Sequence, residues 1–581
     1  MPTLNWNRHR ILTVIVALIC FATFFKAIVD LWRIFSPVAN GALDMDATIY
    51  FIIGRGILNG LRPYVDLFES KPPEMFLLTA LSLITTGTQW IASAADILAK
   101  LSLPILLAAY AASKVWRSGS HKTILWLCST AFLIGVLITL YLDERVGAVQ
   151  TETFGTFFAC LYLLHIAWND STRWPSTLAR SLLLVCAIGM KEPFVLTVFA
   201  GALLLARDIK QFWRSFVIPL MIAVVLGLIG LWVLGYWHSY FGIYLPAMLG
   251  ERVTNSPVEP LFVRSFSIEK VLYNLTIVYS AWGFGIVVAC LWVLFPLWKA
   301  CRANLFELLL IITGSVLGFF VLRFTWVLAV FFRAAYLAHA DVWVDFVYIK
   351  FAEYLILLLG FFLVLYLQSR QKLAQHTLVA MAATLPISAA VGVAGYPLQH
   401  WAFACPFYFV LALVFISYAA TEKPKVISGI MSGMIIFTVI LFGPSKEHLY
   451  KLNLDIQNSA KANADIAHQF DGLLDACGIG QYAGFGVFKE LAFSKHSPIG
   501  PIFVPEFHKY LGEDHPLFTI TYQNIEKNAE VLVLKKGSTP FGVFSTLVSQ
   551  FTDKPPACAQ KYLPIDDLNI LFRISAHANR P

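Results

Sequence analysis

Leu43–Phe76 reads LDMDATIYFIIGRGILNGLRPYVDLFESKPPEMF, and it follows directly on the first apolar segment of the chain. It holds Asp44, Asp46, Asp66, Glu69 and Glu74 with Arg55, Arg62 and Lys71, in a chain that is only 13% charged. Charge concentrated beside a hydrophobic segment marks either a place where a chain meets water or a place where it does chemistry. Locally, Asp46 to Leu58 has the pattern of a helix stopped by Asn59-Gly60, and Pro72-Pro73 has that of a helix start.

Outward from this stretch, composition sets the class. Of 581 residues, 58% are hydrophobic and 47 are Phe, and the mean hydropathy is +0.70. That excludes an ordinary soluble enzyme of this size. Apolar segments approaching the roughly 20 residues of a membrane span recur from Ile11 to Gly443. The first, Ile11–Val29, follows Arg8-His9-Arg10 and lacks a small-residue cleavage site, so it reads as an uncleaved helix. Short breaks rich in Lys and Arg lie at Met1–Arg10, Lys114–Lys122, Asn169–Arg180, Arg207–Arg214, Lys299–Asn304, Ser369–Gln375 and Thr421–Lys425. Basic residues mark cytoplasmic loops, so the alternation predicts about 13 spans, a cytoplasmic N-terminus and an extracytoplasmic C-terminus. The net charge of +8 is largely this inside bias and calls for no nucleic acid.

In that topology 1–444 is a transmembrane domain whose first extracytoplasmic loop covers 30–90. Pro73–Trp90 reads as a helix lying along the outer interface, the second span running from about Ile91 to Ser113. Ser181–Ala206 reads as two short spans or a re-entrant hairpin meeting at Lys191-Glu192-Pro193. Residues 445–581 differ in kind and predict a small extracytoplasmic α/β domain. KEHLYKLNLDIQNSAKANADIAHQF (446–470) has helical spacing, AEVLVLKKG (529–537) and LNILFRI (568–574) read as short strands, and FGVFSTLVSQF (541–551) as a helix. Cys477 and Cys558 alone among nine cysteines fall there. In an oxidising space they predict one disulfide, the alternative being two buried thiols.

Taken singly, the charged residues of the opening stretch have plain readings. Asp46 is a helix N-cap, and Arg55, Arg62 and Lys71 reach lipid phosphates. Together they resemble something specific. Asp46, Tyr50, Arg55, Leu58, Gly60, Pro63, Tyr64, Asp66, Lys71, Pro72 and Pro73 stand in the spacing D-x3-Y-x4-R-x2-L-x-G-x2-P-Y-x-D-x4-K-P-P. This resembles the first outer loop of membrane glycosyltransferases related to protein mannosyltransferases and the aminoarabinose transferase of lipid A. VQTETFGTFFACLYLL, with Glu152, CAIGMKEPFVLTVF, with Lys191, and GYPLQHWAFACPFYFVLAL, with Gly395, Pro397, His400 and Pro406, resemble later segments of the same family. The chain departs from it at Ala47, where many relatives carry Glu, and at Trp401, where they carry Tyr. Asp44 is then the nearest second carboxylate.

The resemblance implies a C-type glycosyltransferase fold of the bacterial inner membrane. It implies an inverting transfer of sugar from a polyprenyl-phosphate donor to an extracytoplasmic acceptor: a lipid, an envelope glycan or a protein. A carboxylate must take the acceptor's hydroxyl proton, and cations must hold the departing phosphate. By resemblance Asp46, with Asp44 as its rival, is the base. Lys71, Arg55 and His400 are the phosphate ligands, and Tyr50, Tyr64, Asp66, Glu69, Glu152 and Lys191 are further site candidates. Glu152 and Lys191 read equally as a structural ion pair, and His400 as a histidine satisfied at a helix start. No cofactor is required; a divalent metal near Asp44, Asp46 and Glu69 is allowed by the residue types. Two other classes stand beside this reading. A polymerase or ligase of lipid-linked glycans shares the phosphate chemistry. A transporter of such lipids would need midplane charges and related halves, and the sequence shows no internal repeat.

Overall fold

The computed structural model describes residues 45–115, 121–146, 149–169, 173–192, 194–206, 209–248, 405–421, 446–504, 515–540 and 542–574, with single positions elsewhere. Helices dominate. α1 (Met45–Leu58) and α2 (Glu74–Thr86) flank the loop of the opening stretch, and α3 (Trp90–Val115), α4 (His121–Val146) and α5 (Thr151–Trp168) follow. α6 (Trp174–Met190) and α7 (Phe194–Leu205) form a hairpin. α8 (Ile209–Phe212) continues through a π-helical turn, Trp213–Val217, into α9 (Ile218–Val233). α10 (Trp237–Ser239), α11 (Cys405–Thr421), α12 (Lys446–Cys477) and α13 (Pro516–Asn528) complete the described helices.

Two helices among the described residues are long and apolar enough to cross a membrane, Trp90–Val115 and Lys210–Val233. On the second, Met221, Val225, Ile229 and Trp232 are all more than half exposed, an apolar surface suited to lipid rather than water. Several of the segments needed for about 13 spans, and the basic breaks at Lys299–Asn304 and Ser369–Gln375, lie outside the described residues.

Small residues set the helix crossings. A Cβ on Gly54 of α1 would stand 2.7 Å from Thr79 Oγ1 of α2, and one on Gly135 of α4 would stand 2.3 Å from Pro104 Cα of α3. Pro104 cannot donate to the carbonyl of Lys100, one turn back; Thr139 Oγ1 of α4 donates to it instead, at 2.7 Å. The proline kink is thus satisfied by a neighbouring helix. Lys100 itself pairs with Asp96 at 2.9 Å, both buried, as charges inside a span must be.

Two expected breaks are shorter than the sequence suggests. α6 begins at Trp174, with Pro175 in its first turn, so Arg180 is helical and buried, donating to Asn169 O (2.5 Å) and His165 Nδ1 (3.3 Å). Arg214 likewise sits in the π-helical turn that joins α8 to α9. The hairpin is as expected: α6 ends at Met190 and α7 starts at Phe194, with Lys191 and Glu192 between.

Beyond α12, four short strands form one sheet in the order β1-β2-β4-β3. β1 (Tyr482–Phe485) runs parallel to β2 (Val531–Lys535), while β4 (Leu568–Arg573) is antiparallel to both β2 and β3 (Phe551–Thr552). Alternation along the strands sends side chains to two cores. Tyr482, Val531, Val533, Ile570 and Phe572 pack against α12 with Phe470 and Leu474. Ala483, Phe485, Leu532, Leu534 and Leu571 join Tyr50, Tyr64, Phe68 and Phe76 of the first loop in a single core. The C-terminal sheet is therefore built onto the charged loop, and the loop's Phe68 amide donates to Pro501 O at 2.8 Å. Residues 541–551 differ from the expected helix: Gly542–Gln550 is 3-10 helical, and Phe551 turns into β3 to pair with Arg573. Cys477, at the end of α12, is disulfide-bonded to Cys558 in the 3-10 turn Ala557–Tyr562, with Cα atoms 5.3 Å apart.

Candidate active site

The loop between α1 and α2 is held by its own residues. Gly60 (φ +83°) reverses the chain after α1. Asp66 Oδ2 accepts from the Arg62 amide at 2.7 Å and from Arg62 Nε at 3.2 Å, closing the turn. Tyr64, at φ +68°, is buried under Tyr244 (ring centroids 4.8 Å apart) and donates its hydroxyl to Lys71 O at 2.7 Å. Asp66 and Tyr64 thus shape the loop that delivers Lys71, rather than lining the site themselves.

Lys71 is delivered to Asp46, in the first turn of α1: Nζ stands 3.8 Å from Oδ2. Oδ2 is buried and accepts no hydrogen bond in the structure. Asp46 is the second residue of α1, inside the helix and not at the expected N-cap position, and its Oδ2 faces Lys71. Glu69 lies buried beside them, accepting from Ser70 Oγ at 3.0 Å. Burial pushes its carboxyl above the ordinary range, Lys71 pulls it back, and Asp46 raises it further.

A second pair completes the cluster. Glu152, in the first turn of α5, accepts from Lys191 Nζ and, at 2.7 Å, from Thr151 Oγ1; both members of the pair are buried. Lys191 comes from the gap between α6 and α7, where no helix absorbs its ammonium. It lies within the field of Lys71 and Asp46 as well as of Glu152. The buried Tyr50 hydroxyl lies in the joint field of Asp46, Glu152 and Glu69. Two helix starts, the α1–α2 loop and the α6–α7 gap thus gather three carboxylates, two ammoniums and a phenol into one electrostatic cluster.

Arg55 is not part of it. About two and a half turns along α1 from Asp46, its guanidinium donates to the Ser494 carbonyl in the C-terminal domain and lies 4.6 Å over the Phe51 ring. Burial lowers its pKa to about 10. Arg55 thus ties the C-terminal domain to α1 through the Ser494 carbonyl. Asp44 and His400 lie outside the described residues.

Two acids that the sequence reading passed over border the site. Glu74 follows the Pro72-Pro73 pair. Its Oε2 is buried without a hydrogen-bond partner, and burial, with Glu192 adding to it, raises its carboxyl to about 8. Glu192, next to Lys191, accepts from Tyr244 OH at 2.7 Å. The available signal was their position, each adjoining a residue of the resemblance.

Among the described residues, no three His, Cys, Asp or Glu side chains converge to hold a metal. Asp46 and Glu69 are two of the three carboxylates suggested for one, and Lys71 is already the cation coupled to both. The described donor set fits a divalent ion poorly.

Among known proteins, no family model matches the chain, and no curated protein matches it. One solved structure that is similar is the crystal structure of ArnT from Cupriavidus metallidurans bound to undecaprenyl phosphate. It covers 95% of this chain and 97% of that one, at 14% identity and a TM-score of 0.36. No residue role or activity is carried across from it.

Proposed function

We propose that the chain is a membrane glycosyltransferase that moves a sugar from a polyprenyl-phosphate donor to an extracytoplasmic acceptor hydroxyl. The observation that carries this reading is the pairing of Asp46 with Lys71. A carboxylate oxygen without hydrogen bonds, buried yet facing a cation, is available to accept a proton in a way that a capped or tightly paired carboxylate is not. Lys71 is the cation for the departing phosphate, and Lys191 supplies a second positive charge behind it.

In this reading the acceptor oxygen attacks the anomeric carbon as Asp46 takes its proton. The carbon–oxygen bond to the phosphate breaks, its electron pair leaves with the phosphate, and the anomeric configuration inverts. Glu152 holds Lys191 in place, and Tyr64 holds the Lys71 backbone. The protein supplies geometry and charge; the leaving group is already activated by its lipid phosphate. The acceptor is a lipid, an envelope glycan or a protein side chain. The setting is a cell membrane of the bacterial inner-membrane type, with the site on its outer face and the N-terminus inside.

Purified protein incubated with polyprenyl-phosphate sugars and a panel of acceptors should release free polyprenyl phosphate in step with sugar transfer. Release without transfer to any acceptor points to hydrolysis only. Neither release nor transfer across donor classes removes the reading.

A further inference from the structure

The far ends of α5 and α6 carry a second constellation of polar groups. α5 starts beside Glu152 and ends at Trp168; α6 starts at Trp174 and ends beside Lys191. With 18 residues at ~1.5 Å each, α5 separates its two ends by roughly 27 Å. At the end away from Asp46 lies an open-mouthed cavity of ≈ 630 Å³, lined by His165, Asn169, Arg173, Pro175 and Ser176. Arg180 stands buried behind it, bonded to Asn169 O and His165.

Two features of this cavity, whose described lining includes Arg173 and His165, favour an anion. It opens at the N-terminus of a 17-residue helix, where the peptide dipoles add positive potential. Ser176, in the first turn of that helix, is 7% exposed, and its Oγ is buried with no hydrogen-bond partner. A hydroxyl in this state, on the wall of a cavity, lacks the partner that a bound group would supply. Trp168 and Trp174, next in sequence to the lining residues Asn169 and Arg173, are 46% and 64% exposed, as aromatic side chains are at the level of lipid headgroups.

We propose that this cavity binds the phosphate of an anionic membrane lipid, on the membrane face opposite the candidate active site. Arg173 meets the phosphate at the mouth, the Ser176 hydroxyl donates to it from the wall, and the buried Arg180 sets the potential behind them. The lipid source is favoured over free phosphate because the two tryptophans place the mouth where headgroups are.

The full-length protein, stripped of lipid in detergent, can be titrated with phosphatidylglycerol and followed by native mass spectrometry. Phosphatidylcholine and inorganic phosphate serve as separate arms. Phosphatidylglycerol should bind in preference to phosphatidylcholine. Arg173→Ala combined with Ser176→Ala should weaken its binding about five- to tenfold, Arg173→Lys should restore part of the loss, and Lys210→Ala, an exposed basic change elsewhere, should leave it unaltered. Circular dichroism and gel filtration establish that each variant is folded. Undiminished binding by the folded double variant overturns the site, as does an equal loss in Lys210→Ala. Displacement of the lipid by inorganic phosphate at equal concentration overturns the lipid assignment.

Discussion

Asp46–Lys71 and Glu152–Lys191 are the same chemical pair in two different settings. The first spans 3.8 Å, its carboxylate is about one-fifth exposed, and Asp46 Oδ2 accepts no hydrogen bond. The second is in direct hydrogen-bond contact, its carboxylate is fully buried, and Thr151 takes the other oxygen. A buried ion pair whose two carboxylate oxygens each accept a hydrogen bond has the character of a structural element: its atoms are expensive to expose. A loose pair at the edge of the same cluster keeps one carboxylate oxygen without a hydrogen bond. In the proposed function, the comparison assigns the tight pair to the frame and the loose pair to the chemistry.

The largest expected effect tests the loose pair. Asp46→Asn keeps size and polarity but removes the base, so transfer should fall about 10²–10⁴-fold while folding and donor binding persist. Lys71→Ala should raise the donor KM as well as lower kcat, because the phosphate contact exists before the bond breaks. Rates can be followed with a radiolabelled sugar donor and donor binding by equilibrium titration. Near-normal activity in Asp46→Asn would leave both pairs structural.

The tight pair should answer differently. Glu152→Gln or Lys191→Met alone strands a buried charge, which costs about 3–5 kcal/mol. Each should therefore be seen first as lost thermal stability in detergent. The double variant should recover much of that stability without recovering full activity, since it restores neutrality but removes the charge behind Lys71. If the single variants unfold no more easily than the parent, the contrast between the pairs does not hold.

Between these effects falls the clamp that keeps the loose pair in place. Arg55→Met removes a buried charge-assisted bond to Ser494 O while keeping a long apolar stem over Phe51. It should loosen the C-terminal domain from α1, by about 1.5–3 kcal/mol. Hydrogen exchange should rise in α1 and in 494–504 and stay unchanged in α5 and α6. Exchange rising equally in both regions would mean that the domain supports the whole helix bundle and not the loop alone.

How much of this was legible in the sequence follows from how local each signal is. The ends of α1, the start of α2, the hairpin gap at Lys191 and the strands 531–535 and 568–573 are written in nearby glycines, prolines and alternation, and the structure has them, whereas α2 stops at Thr86, short of the expected end at Trp90. The role of Arg55 was not legible, because its partner lies 439 residues away and is a backbone carbonyl, which no residue type advertises. Arg180 was read as loop because charge suggests solvent; its partners, Asn169 O and His165, become visible only once α5 and α6 lie side by side. Asp46 and Lys71 were legible as a spacing, and Glu152 and Lys191 as two separate motifs. That the two sets share one electrostatic site, one loose and one tight, is a property of the packed helices.

The smallest expected effect concerns a carboxyl with no lysine at all. Glu74 lies against Glu192, and its pKa rises from 4.5 to about 8 in the folded protein. Between those two values the unfolded chain has released a proton that the folded chain still holds. The folded state then binds more protons than the unfolded one, so stability declines as pH rises through that window and levels off above about 8. Glu74→Gln holds a neutral side chain of the same size at every pH and should flatten this slope. Thermal unfolding from about pH 5 to about pH 9 should show the parent losing ground to the variant, with the two closest at the acid end, where both side chains are neutral. The same titration sharpens the contrast between the pairs. Glu152 is buried as well but has Lys191 as its partner, so the pH dependence expected here belongs to Glu74 alone. Parallel unfolding curves for the parent and Glu74→Gln across the whole range would show that Glu74 is ionised in the fold, with its charge met by groups other than lysine.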